Sequence, residues 1–271
     1  MPEPKYSILV THYNDGKTIK AAIDSLLPQI DDRFELIVAD NFSTDESVQI
    51  LDDYYKRGKI KLFSRKGSRG VGREAALEAA IGEYIISGLD MDDTFKPRLG
   101  QLLDFYHSKC EGKLLLTEVA THVAPRDLVV KLGGYRDLQN NENWDLFRRS
   151  AKEGKFCWTI FPLLETILEH PERRSLFGKV RYEYTMVRDD YRVGKRPYKG
   201  YRGRVRLYRR LAQFLALLAL PFYESYRDES FKRFTTVNRE YFTDSSDWWP
   251  DLKDSKDLKR KYRSLLDIEL K

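Results

Sequence analysis

Three carboxylates lie within four residues at Asp90-Met91-Asp92-Asp93. They follow the apolar run Tyr84-Ile85-Ile86-Ser87-Gly88-Leu89, which reads as a short buried strand. Like charges this close repel, so a cation is the natural complement. Hard oxygen ligands of this kind suit Mg²⁺ or Mn²⁺, metals that commonly also bind substrate phosphates. An isolated tetrapeptide of this type is as readily a solvated acidic loop. Its neighbours decide between the two.

Those neighbours are elements that end in polar loops. Tyr6 to Val10 reads as a strand, Thr11 to Gly16 as a polar turn, and Thr18 to Leu27 carries apolar residues at helical spacing. Phe34 to Ala39 reads as a second buried strand. Ser43 or Thr44 is placed to cap the helix that follows, with acids in its first turn. Lys59 to Phe63 reads as a third strand. Ser64 to Gly72 is a Gly-rich basic loop, and a helix runs on to about Ile81. Strand, helix and strand at this spacing predict a parallel sheet covered by helices on both faces. Ligands of such sheets bind beyond the strand C-termini. Three polar segments, Thr11 to Gly16, Asp40 to Thr44 and Asp90 to Asp93, are therefore expected to converge. Further on, Leu114 to Thr117 and Phe156 to Phe161 read as strands, with helices expected after Pro125 and over Trp144 to Ala151.

Charge divides the chain. From Arg173 to Arg210 there are 14 Lys/Arg against 3 Asp/Glu, whereas the whole chain carries a net +6. The rhythm of strands and helices stops near His170, so a boundary is expected there: residues 1–170 as the nucleotide-binding and catalytic domain, and 171–271 as a basic, tyrosine-rich helical extension. Nine Lys/Arg and no acid occupy Arg192 to Arg210, followed by the apolar run Leu211 to Phe222. That run is too short to span a bilayer. A basic stretch leading into an apolar helix reads as an anchor on an anionic membrane surface, the alternative being a core helix with a solvated flank. Nucleic acid is not expected as a partner, because no recognition motif accompanies the charge. Two cysteines without metal spacing and the absence of a visible leader point to a cytoplasmic protein at the inner face of the membrane.

His12 reads as a turn residue or a site residue. Four histidines without paired spacing disfavour zinc. Gly70-Val71-Gly72 lacks the third glycine of a dinucleotide fingerprint. Trp248-Trp249-Pro250 suits either core cover or a membrane interface.

Taken in order, several segments resemble family 2 glycosyltransferases of the GT-A fold. They are Ser7-Ile8-Leu9-Val10-Thr11-His12-Tyr13-Asn14, Leu36-Ile37-Val38-Ala39-Asp40-Asn41-Phe42-Ser43-Thr44-Asp45, Arg73 within Gly72-Arg73-Glu74-Ala75, Gly82 to Asp93, and Gly133-Gly134-Tyr135 leading to Glu142-Asn143-Trp144-Asp145-Leu146. The resemblance runs from about Lys5 to about Pro162. It implies a Rossmann-like mixed α/β sheet flanked by helices. It also implies an inverting, metal-dependent hexosyltransferase that uses a nucleotide-diphosphate sugar and a lipid-linked or glycan acceptor. By the same resemblance, Asp40 holds the nucleobase; Thr11, Tyr13 and Asn14 line the nucleoside pocket; Asp90 faces the ribose. Asp92 reaches the Mg²⁺ or Mn²⁺, Arg73 adds positive charge, and Trp144 stacks on an acceptor sugar.

Two departures stand out. The family shows Glu-Asp where this chain has Glu142-Asn143, and that Asp is the general base. An amide does not accept a proton at neutral pH, so Glu142 or Asp145 takes over, the acceptor is already ionised, or the chain is a transferase turned scaffold. Asn41 and Phe42 stand where Asp and Gly are usual. A sugar-phosphate nucleotidyltransferase is the weaker alternative, since Thr11 to Gly16 lacks a basic, Gly-rich phosphate loop.

Overall fold

A computed structural model describes residues 3–117, 120–161, 163–167, 175–194, 207–226 and 239–244. The strands are β1 (Tyr6–His12), β2 (Phe34–Asp40), β3 (Lys61–Ser64), β4 (Tyr84–Ser87), β5 (Asp93–Phe95), β6 (Leu114–Leu116), β7 (His122–Pro125), β8 (Phe156–Trp158) and β9 (Leu164–Ile167). The helices are α1 (Gly16–Leu26), α2 (Ser47–Lys56), α3 (Arg69–Ala79), α4 (Leu99–Lys109), α5 (Arg126–Lys131), α6 (Glu142–Lys152), α7 (Leu176–Arg192) and α8 (Leu207–Ala219).

Seven strands form one sheet in the order β3-β2-β1-β4-β7-β6-β8, and β5 pairs with β9 apart from it. The first four run parallel to one another. β7 is antiparallel to both β4 and β6, which makes the sheet mixed. Right-handed crossovers place α1 and α2 on one face and α3 on the other. Chain order reverses between β1 and β4, so their C-terminal ends open a crevice. The core fills the sheet from both faces. β2 is buried along its whole length, and Ile19, Ala22, Ile23 and Leu26 of α1 turn inward at helical spacing. Each such aliphatic side chain contributes about 1.5–3 kcal/mol by leaving water.

The structure moves several expected boundaries. α2 starts at Ser47 rather than after Ser43 or Thr44. The reason is local: Ser43 donates its hydroxyl to Asp40, and Asp45 takes up the Ser47 backbone amide at 3.2 Å. α3 starts inside the expected loop because Ser68 caps it, accepting from the Val71 amide at 3.2 Å. The run after β4 is broken by Gly88, whose φ of 80° suits glycine. A Cβ there would also collide with the Ala120 carbonyl. The acidic loop therefore leaves the main sheet, and Asp93 opens β5. β7 has no clear signature in the sequence, being four residues long and ending in Pro125.

Past residue 174, α7 and α8 pack on each other. Ala212 and Ala216 face inward, and Arg209 of α8 pairs with Glu183 of α7 at 2.8 Å. Leu211, Phe214, Leu215 and Leu218 face outward, Phe214 at 59% exposure. The 3₁₀ turn Leu220–Phe222 follows, with Phe222 at 85%. Most of the basic stretch and Trp248-Trp249-Pro250 lie outside the described residues. No helix among the described residues is long and apolar enough to cross a membrane.

Candidate active site

An open cleft of about 1030 Å³ lies where the strand order reverses. Its walls come from the turn after β1, the segment after β2, the start of α3, the acidic loop and Gln139. The three polar segments expected to converge do so.

Asp90, Asp92 and Asp93 bring one carboxylate oxygen each to within 4.8 Å of one another. Asp93 is buried and the other two are half-buried. This is an all-oxygen, hard donor set of the kind that Mg²⁺ or Mn²⁺ takes, and it fits such an ion.

Thr11 and Tyr13 lie on the cleft wall, Tyr13 being 56% exposed. Asn14 sits at a φ of 53° and ties two loops together. Its amide N–H donates to Ser43 Oγ at 2.9 Å, and its side-chain oxygen accepts from the Thr44 amide at 2.8 Å. Asp40 is buried at the end of β2 and holds the same loop, accepting from the Ser43 amide at 3.0 Å and from Ser43 Oγ at 2.5 Å. Its neighbours Ala39 and Asn41 line the cleft. Phe42 keeps a left-handed φ of 58° with its ring exposed, so the backbone retains the shape that a glycine would adopt freely.

His12 is the last residue of β1 rather than part of the turn, and it is buried. Burial pushes its pKa below the ordinary value, against the pull of Asp40 and Asp45, so the ring is neutral at pH 7.

Arg73 joins the acidic loop to α6. It is buried, with Nη2 lying 3.9 Å from Asp90 Oδ1. Nη1 donates to Glu142 and, at 2.5 Å, to Asn143 Oδ1. Glu142 is equally buried and committed to this pair. Asp145 is held elsewhere: its carboxylate is fully buried, with Arg136 at 3.1 Å and Arg149 at 2.9 Å, and it does not line the cleft. Trp144 is half-buried and also lies outside the cleft lining. The structure therefore joins Asp90, Glu142 and Asn143 through Arg73, of which only Asp90 lines the cleft itself, and ties Asp145 to Arg136 and Arg149 instead; neither Asp145 nor Trp144 lines the cleft.

Below Arg73, His122 is buried completely. Its Nε2 and Tyr135 Oη lie 2.6 Å apart, and Nδ1 lies 2.9 Å from the Ala120 carbonyl. Burial drives its pKa down to about 3 and pushes the Tyr135 hydroxyl up to about 12. This neutral pair was not singled out in the sequence, where His122 looks like one of four scattered histidines. Gly134 precedes Tyr135 at a φ of 60°, and a Cβ there would strike the Glu74 carboxylate, which accepts the Tyr135 amide at 2.6 Å.

Residues 7–112 match the glycosyl transferase family 2 model. Over that stretch the chain is similar to family 2 glycosyltransferases. Among curated relatives it is 35% identical over 94 residues to the poly(ribitol-phosphate) beta-N-acetylglucosaminyltransferase TarS of Staphylococcus aureus, covering 33% of this chain and 16% of that protein. The matches to curated relatives span less than half of each relative's length. Among solved structures, glucosyl-3-phosphoglycerate synthase from Mycobacterium tuberculosis, with Mn²⁺, UDP and glucosyl-3-phosphoglycerate, aligns with a TM-score of 0.54 at 17% identity, covering 73% of this chain and 82% of that one. The mannosyltransferase PcManGT from Pyrobaculum calidifontis, with GDP-Man and Mn²⁺, aligns at 0.53 and 18%, covering 82% and 75%. These likenesses establish the glycosyltransferase GT-A fold.

Proposed function

We propose that this family 2 domain transfers a sugar from a nucleotide-diphosphate donor to an acceptor at a membrane surface, with inversion and with Mg²⁺ or Mn²⁺. The observation that carries this is the meeting of Asp90, Asp92 and Asp93 with the ends of β1 and β2 in one cleft at the strand reversal. Both neighbouring structures described above contain Mn²⁺ and a nucleotide, and this donor set fits such an ion.

Each residue has a task in that reading. Thr11, Tyr13 and Asn14 shape the nucleoside wall. Asp40, buried with both carboxylate oxygens on Ser43, holds the loop whose neighbours Ala39 and Asn41 line the cleft, and in this reading would meet the base only by turning an oxygen toward it. Asp90 faces the ribose, while Asp92 with Asp93 holds the metal. When bound, the ion supplies positive charge to the leaving diphosphate. Arg73 adds fixed charge and holds Glu142 and Asn143. In the transfer, an acceptor oxygen bonds to the sugar's anomeric carbon as the bond to the diphosphate breaks. The acceptor's proton goes to Glu142, or there is none to remove because the acceptor oxygen is an anionic phosphate. A scaffold without turnover is the second reading; it is favoured by Asn143 and by the commitment of Glu142 to Arg73.

Calorimetry with UDP and GDP tests the first. A nucleoside diphosphate should bind at least tenfold more weakly in EDTA than with Mn²⁺, a loss of about 1.4 kcal/mol or more. Equal affinity overturns the metal role.

The acceptor side rests on the extension, which we read as a peripheral anchor at the cytoplasmic face. The outward Leu211, Phe214, Leu215, Leu218 and Phe222 would enter the headgroup boundary, and of the nine basic residues in the adjoining sequence from Arg192 to Arg210, Arg192 is buried on Asp189 and Arg209 is paired with Glu183, so neither counts toward the surface. Such charges contribute about 1 kcal/mol each near an anionic surface. The protein should float with anionic vesicles, less so with neutral ones, and lose most binding when Arg204, Arg206, Arg209 and Arg210 become Ser. Failure to float with any vesicle removes the membrane from the proposal.

A further inference from the structure

Residues 137–141 connect the Gly133-Gly134 turn to Glu142, and Gln139 among them lines the cleft. Four residues of α7, Thr185, Asp189, Asp190 and Arg192, hold this segment. Asp189 is fully buried, and its Oδ2 accepts from the backbone amides of Gln139 at 2.8 Å and Asn140 at 2.9 Å. Its Oδ1 faces Arg188 at 2.7 Å and Arg192 at 3.6 Å. Arg192 Nη1 donates to the Asp137 carbonyl at 2.6 Å. Asp190 accepts from Asn141 Nδ2 at 3.0 Å, where Asn141 stands in the left-handed region at a φ of 67°. Asn140 Nδ2 reaches Thr185 at 3.4 Å. On the α6 side, Arg148 donates to the Val193 carbonyl just past α7.

We infer that Asp189 is a positioning residue for the site: from the extension, it fixes the backbone that presents Gln139 to the cleft and sets Glu142 and Asn143 against Arg73. The chemistry asks for an ionised carboxylate. One oxygen meets two N–H donors while the other meets two guanidinium groups, so all four neighbours donate. An amide in its place must point its own NH₂ at donors in either orientation. The catalytic part of this inference rests on the transferase reading; the positioning part does not.

The test compares Asp189→Asn with Val187→Ala, a change at a buried α7 residue that touches none of residues 137–141 by hydrogen bond. Two quantities are read on the whole chain. The first is hydrogen–deuterium exchange at Gln139 and Asn140. It should rise tenfold or more in Asp189→Asn, at a temperature where both variants are folded, while β1 and β4 are unchanged. The second is nucleotide release from UDP-GlcNAc and GDP-mannose with Mn²⁺. Its kcat should fall tenfold or more in Asp189→Asn, with UDP and GDP affinity within threefold of the unaltered chain. Val187→Ala should lower the melting temperature without either change, and Asp189→Glu, which keeps the charge, should recover part of the loss. Equal loop exchange in Asp189→Asn and Val187→Ala overturns the inference. Should Asp189→Asn not fold, Asp190→Ala at a half-buried position takes its place: faster exchange at 139–141 supports the clamp, and unchanged exchange overturns it. Should the unaltered chain release no nucleotide, the functional reading falls, and the exchange comparison still decides the positioning.

Discussion

On one side of the site, Thr11, Asp40 and Asp90 are placed at or just past the ends of adjacent parallel strands. On the side of α6, Glu142 and Asn143 are placed by one arginine 69 and 70 residues away, and the loop before them by a helix about 50 residues downstream. The first side is built mainly from backbone hydrogen bonds and apolar burial, which tolerate substitution at many positions, with Asp40 and Asn14 tying its loops. The second depends on a handful of buried charges. Each of those charges is costly once its partner is gone. Damage to single side chains should therefore fall far more heavily on the second side.

Arg73→Ala is the sharpest way to break that contrast. It leaves Glu142 buried without its guanidinium, and removal of one partner from such a pair costs about 3–5 kcal/mol. Chemical denaturation should show a loss in that range; a loss below about 1 kcal/mol would mean that the pair adds nothing and that the two sides are alike. Glu142→Gln comes next. As the base it should lower turnover on a hydroxyl acceptor by about 10²-fold, with UDP or GDP affinity little changed. Asn143→Asp separates the alternatives: a large rise in rate marks a weakened transferase, and no effect from either change points to an acceptor already ionised. The smallest effect is in pH. His122 is neutral in the fold, with its pKa driven down to about 3, while the unfolded chain titrates near 6.5. Between those values the unfolded state binds the extra proton, so stability is full above about 6.5 and declines as pH falls. The slope from this group approaches about 1.4 kcal/mol per pH unit. Melting temperatures from pH 7 to pH 4.5 should show that decline, and His122→Gln should flatten it.

The same contrast governs what the sequence discloses. β1, β2 and β4 are apolar runs that stop at polar loops, so their order and the convergence of Thr11, Asp40 and Asp90 follow from local pattern and topology. Glu142 and Arg73 each stand in a motif, yet nothing in their spacing says that they touch. Asp145 looks as available as Glu142 until its two arginine partners are seen. Asp189 is hidden most deeply, because Arg188-Asp189-Asp190 reads as a solvated charged face. One signal was present: from Arg173 to Arg210 the only acids are Glu183, Asp189 and Asp190, and acids isolated in a basic block deserve a search for a buried role. β7 escaped notice for a different reason, since four residues carry too little pattern to reveal direction.

The clamp also imposes an order on the protein's manufacture. Residues up to Asp93 leave the ribosome carrying β1, β2, β4 and the acidic loop, and domains fold as their parts emerge. The segment at 139–141 has to wait until α7 has cleared the exit tunnel, 50 residues of synthesis after Gln139. Stalled nascent chains that expose about 165 and about 200 residues should both retain a nucleoside diphosphate, while only the longer one protects Gln139 and Asn140 from exchange. On the transferase reading proposed above, a growing chain would hold nucleotide before it could use it, and the helix that ends the wait is the one on which α8 packs.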